Sequence, residues 1–145
     1  MTIDHNFFAP YGLSALALTA AVSVVVSAAP AEAQDGRAMA AFSRSQYTYC
    51  DAKLIGALMR VSVMGGKVMI GQKILNGIGS NMPLMLRESR TAGNRCNFED
   101  TEFSYEDAEV LAEVWGLSTP YQAKLKVARY VTNSQTGIVR SALGR

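Results

Sequence analysis

Four groups of residues have the types and spacing to do chemistry. Asp51 and Asp107 recur at matching places in two similar stretches, and paired carboxylates are common equipment for general acid–base catalysis. Met59, Met64, Met69, Met82 and Met85 crowd together, and Met82-x-x-Met85 offers two thioethers to a soft ion such as Cu(I). Seven acids fall between Glu99 and Glu113, a density that raises the question of Ca2+. Cys50 and Cys96 are the only thiols. Most of these have a plainer reading. Asp51 and Asp107 each follow a hydroxyl residue, Thr48 and Ser104, by three positions, which is the spacing of a reciprocal helix cap. The acids lack the alternating ligands and central glycine of a calcium loop, and those near helix N-termini complement the macrodipole. Spacings of five keep Met59, Met64 and Met69 off one helix face, so core filling is the simpler role. An adaptable apolar surface for a ligand or partner is the sharper one. No cofactor and no metal are expected.

The absences narrow the chemistry further. There is no Gly-rich phosphate loop, no Gly-x-Ser-x-Gly and no Cys-x-x-Cys, and the one histidine is His5. His5 belongs to a stretch with its own logic. No charged residue occurs from Leu13 to Ala31, and the apolar run meets Ala31-Glu32-Ala33 just before Gln34. An apolar core ending at a small-x-small site reads as a secretory leader, here residues 1–33, although its first twelve residues carry no Lys or Arg. A retained membrane anchor is the competing reading, since a run of this length can span a bilayer. Removing the leader takes away Asp4 and Glu32 but no basic residue, so 14 basic and 10 acidic residues remain, a net charge of +4. In an exported chain, Cys50 and Cys96 are expected to form a disulfide. The compartment is accordingly periplasmic or extracellular.

The remaining chain repeats itself. Residues 42–62 align without a gap on residues 98–118, pairing Phe42 with Phe98, Tyr49 with Tyr105, Asp51 with Asp107 and Ser62 with Ser118. After a one-residue insertion, Lys67 meets Lys124, Ile70 meets Val127 and Asn76 meets Asn133. The expected fold is all-α. Residues 34–41 form a flexible lead-in to a single helical domain over 42–145. The domain comprises two divergent units, 42–92 and 98–145, of two to three helices each, packed about a pseudo-twofold axis. Thr48 and Ser104 cap the leading helices, with Tyr47 and Phe103 placed as hydrophobic staples. The leading helix of the second unit is expected to stop at Gly116. Thr119-Pro120-Tyr121-Gln122 supplies the cap, N1 proline and N3 amide of the helix after it. Third helices are expected at about 83–92 and 135–143. Cys50 and Cys96 are not equivalent within the repeat, so their bridge joins the first unit's leading helix to the linker.

Charge divides unevenly: residues 37–95 carry nine basic and two acidic residues, residues 96–145 five basic and seven acidic. The segment Ala112-Glu113-Val114-Trp115-Gly116-Leu117-Ser118 resembles the turn of DNA-binding helix-turn-helix proteins, and the next helix carries Lys124, Lys126 and Arg129. That resemblance implies nucleic-acid recognition by the second helix. It departs from the family pattern at Gln122, where an apolar residue is usual, and an exported protein meets no chromosome, so nucleic acid is not the expected partner. The expected function is that of a non-enzymatic exported helical module binding an envelope protein or a small apolar ligand. Membrane attachment would come only through an uncleaved leader. The alternatives are an enzyme built on Asp51 or Asp107 and, should the leader reading fail, a DNA-binding protein.

Overall fold

Helices begin where a hydroxyl side chain can take the first unpaired backbone N–H groups. In the computed structural model, which describes residues 31–145, the Thr48 hydroxyl accepts from the Asp51 N–H while the Asp51 carboxylate accepts from the Thr48 N–H at 2.8 Å. This opens α2 (Tyr49–Met59). Ser62 opens α3 (Val63–Leu75) in a simpler way, accepting from the Gly65 N–H. Ser104 and Asp107 form the same reciprocal box at α5 (Tyr105–Val114), and Thr119 caps α6 (Pro120–Thr132), with Pro120 at its first position. Two less marked helices follow, α4 (Met82–Thr91) after α3 and α7 (Thr136–Ala142) after α6. Among the described residues the structure is all-helical, with no strand. No single helix there is long and apolar enough to cross a membrane, although α2 and α3 pass that test as a pair bent by 99°. The expected leader falls almost wholly outside the described residues.

The stretch 34–41, expected to be flexible, is helical. It belongs to α1 (Ala31–Ser43), which packs along α3. The reason is tertiary. Alanine favours the helix, but the stretch carries only a weak amphipathic pattern. What holds it is Ala38, wholly buried where α1 crosses Gly71 of α3. A Cβ at Gly71 would collide with the Ala38 carbonyl, and one at Gly66 with the Ala52 carbonyl. Two glycines thus let α3 lie against both α1 and α2 at backbone distance.

One core runs through all of this. Leu54 and Ile55 of α2, Ile70 of α3, Leu111 of α5, Val127 of α6 and Val139 of α7 are fully buried in a single cluster. The disulfide Cys50–Cys96, with Cα atoms 5.7 Å apart, fastens the first turn of α2 to the segment leading out of α4. The buried polar groups nearby are satisfied. The Ser89 hydroxyl donates to the Leu54 carbonyl at 2.6 Å, and the Cys96 N–H donates to the Thr132 hydroxyl at 3.0 Å.

Several contacts recur 56 or 57 positions apart. The Lys67 ammonium lies over the rings of Phe42 and Tyr49, at 5.7 and 5.0 Å from their centroids. Lys124 lies over Phe98 and Tyr105, at 5.1 and 4.7 Å. The turn after α2 puts Arg60 in the left-handed region (φ 57°), and the turn after α5 puts Gly116 there (φ 63°).

A candidate binding cleft at the head of the second helix

Thr48 and Tyr49 open α2 beside a short 3-10 turn, Phe98–Asp100, that leads into the second half of the chain. The Thr101 hydroxyl donates to the Phe98 carbonyl at 2.6 Å, closing that turn and directing Phe103 inward. Val131, near the end of α6, and Thr136, at the start of α7, face these elements. Between them lies a half-open cleft of about 480 Å3, walled by Tyr49, Phe103 and Val131 and rimmed by Glu99, Asp100 and Glu102. A neighbouring hollow of about 430 Å3 shares Thr48, Val131 and Thr136 with it and extends past Asp51 to Pro83, Leu86 and Arg90. The two form one groove, built from residues far apart in the chain.

Most of the charged groups in the groove are already engaged. Asp51 is nearly buried and accepts from both the N–H and the hydroxyl of Thr48. Asp100 accepts from the Asn97 N–H at 2.7 Å and pairs with Lys53. Glu102 takes a two-pronged contact from the Arg140 guanidinium at 2.9 and 3.0 Å, the strong geometry for this pair. The Arg90 guanidinium donates to the Thr132 carbonyl and the Ser134 hydroxyl. Glu99 is exposed and pairs with no cation among the described residues. The groove therefore presents apolar walls, structurally committed polar groups and one carboxylate at its rim.

Of the sequence-derived site residues, Thr48 and Asp51 line the groove as a helix cap, and the others fall elsewhere. Met82 is wholly buried, Met69 and Met85 are half-buried against the core, and Met59 and Met64 are exposed, so the five do not share one open surface. Asp107 holds the Ser104 N–H and pairs with Arg145; like Asp51 it does cap work. Two of the basic residues that the helix-turn-helix resemblance would send to DNA are held on rings of the protein itself. Lys124 sits over Phe98 and Tyr105, and Lys126 sits over Trp115 at 4.5 Å. Among the described residues no three His, Cys, Asp or Glu side chains converge as metal ligands. The groove itself was missed by sequence reasoning. Its signal was partial: Tyr47 and Phe103 stand out as staples, and nothing in the spacing brings them together with Val131.

No family model matches the chain, and neither a curated protein nor a solved structure matches it.

Proposed function

We propose that this protein is an exported, non-enzymatic helical module whose groove around Thr48 takes a small apolar ligand or the apolar side chains of an envelope protein. The observation that carries this reading is the cleft of about 480 Å3 with Tyr49, Phe103 and Val131 on its walls. Concave, mostly apolar sites with a few polar groups are where small ligands bind. Asp51, Asp100 and Glu102 each hold another part of the fold in place, which favours binding over proton transfer. Export is supported by the apolar run and its small-x-small end before Gln34, and the Cys50–Cys96 bridge is compatible with an oxidising compartment outside the cytoplasm. We read the chain as two units, 42–92 and 98–145, related by a pseudo-twofold axis. The recurring lysine–aromatic contacts and helix caps support that reading.

The test is titration of the chain starting at Gln34 with the neutral fluorophore N-phenyl-1-naphthylamine. Thr136 is half-buried and lines both halves of the groove, so Thr136→Trp fills it from a tolerant position. The expected result is saturable binding by the parent, retained in Thr136→Val and lost in Thr136→Trp with melting unchanged. Absence of saturable binding, or equal binding by Thr136→Trp, rejects the groove. Turnover of any substrate that Asp107→Asn abolishes without loss of helicity rejects the non-enzymatic reading.

A further inference from the structure

The α5 helix turns Ala108, Leu111 and Ala112 inward and leaves Glu106, Glu109, Val110, Glu113 and Val114 in solvent. Spacings of three and four gather these five on one stripe. Val110 and Val114 are 47% and 56% exposed, whereas Leu54, which the sequence alignment pairs with Val110, is 0% exposed. Leu54 lies against α4, whose Ser89 hydroxyl bonds its carbonyl. The corresponding position on α5 has no such cover, because the seven-residue α7 packs mainly on α6. The carboxylates on the stripe also lack cations. Asp100, Glu102 and Asp107 each pair with a Lys or Arg, but among the described residues Glu106, Glu109 and Glu113 do not. Its own backbone N–H and the Ser104 hydroxyl keep the Glu106 carboxyl below the ordinary glutamate range.

Two adjacent exposed valines flanked by three unpaired carboxylates complement a helix with an apolar stripe between basic residues. The fold holds an internal example of the packing alone: α4 sets Met82 and Leu86 in the core beside α2, while its Arg90 donates to the Thr132 carbonyl and the Ser134 hydroxyl rather than to an acid. We propose that the exposed face of α5 is a docking site for a basic amphipathic helix of another protein, lying on α5 as α4 lies on α2. The exposures and charges stand without the two-unit reading; only the comparison with α4 rests on it. Docking buries the valines against an apolar stripe and places Lys or Arg against Glu106, Glu109 and Glu113, so it weakens with salt.

The probe is a synthetic Leu/Lys amphipathic helix, with a Leu/Glu helix of equal length as its counterpart, titrated into the chain starting at Gln34 and followed by backbone amide NMR. The Leu/Lys helix is expected to shift α5 amides. The surface pair Val110→Ser and Val114→Ser should weaken it roughly tenfold or more while leaving the fold intact, in line with loss of central apolar contacts. Glu109→Lys with Glu113→Lys should reverse the preference toward the Leu/Glu helix. Thr136→Trp, which blocks the groove, should leave this binding untouched, so the two proposals fail separately. Shifts centred off α5, or equal affinity in the valine pair, overturn the proposal. Self-association through α5 without peptide overturns the choice of another protein as occupant.

Discussion

Gly66 and Gly71 sit where carbonyls of neighbouring helices come too close for a methyl group. Gly71→Ala must push α1 off α3, and overpacking of this kind costs about 1–3 kcal/mol. Gly137, inside α7, has open space where its Cβ would be, so Gly137→Ala should instead stabilise by about 0.5–1 kcal/mol, the usual gain over helical glycine. Urea unfolding of the two variants beside the parent checks both signs. A second contrast concerns Arg60 and Gly116, which hold the same left-handed conformation at the ends of α2 and α5. Only glycine adopts it without penalty, so Arg60→Gly should stabilise by about 0.5–1 kcal/mol and Gly116→Ala destabilise by about 1 kcal/mol. Equal midpoints for Arg60→Gly and parent would refute that reading. Gly116 was legible as a helix stop because glycine announces the conformation. Arg60 was not, because nothing in an arginine does.

Among the elements, three announced their starts through side-chain caps. Thr48, Ser104 and Thr119 each place an oxygen where the backbone needs it, and α2, α5 and α6 start one residue later. The starts of α4 and α7 have no side-chain cap, yet their expected bounds, 83–92 and 135–143, fall within a residue of those observed, placed by Pro83 and by the repeat. The first helix was misread for a physical reason: its hold on the fold is the Ala38–Gly71 approach, a contact between small residues that leaves no large apolar stripe to count. The disulfide acts at this scale too, tying the start of α2 to the chain beyond α4 across a separation of 46 residues. For a loop of that length, chain entropy alone predicts about 4 kcal/mol of stabilisation. The double variant Cys50→Ala and Cys96→Ala should lose most of it, read as a lower urea midpoint, and added reductant should then have no further effect.

At the level of the whole molecule, the fold class followed from helix signals, but the groove did not. Its walls come from 48–49, 99–103, 131 and 136, and no local pattern records that three turns and a helix end will meet. The same holds for the N-terminal boundary of the domain. A chain starting at Gln34 should melt as a folded domain. One starting at Arg44 lacks Ala38 and Phe42, both buried, and leaves one face of α3 bare. Loss of a buried Phe alone costs about 3–5 kcal/mol, so the shorter chain should melt far lower or remain unfolded in circular dichroism.

The bridge also sets how the protein would carry a load. Tension applied to both ends enters through α1, reaches the first turn of α2, and crosses the sulfur–sulfur bond to the segment before α5. The 46-residue span that holds most of α2 and all of α3 and α4 hangs on a slack covalent ring, outside the line of force. A fully stretched chain would therefore fall short of its contour by about 150 Å, at about 3.3–3.6 Å per residue. Under pull, α3 and α4 are shielded while α1 and α5 to α7 bear the load.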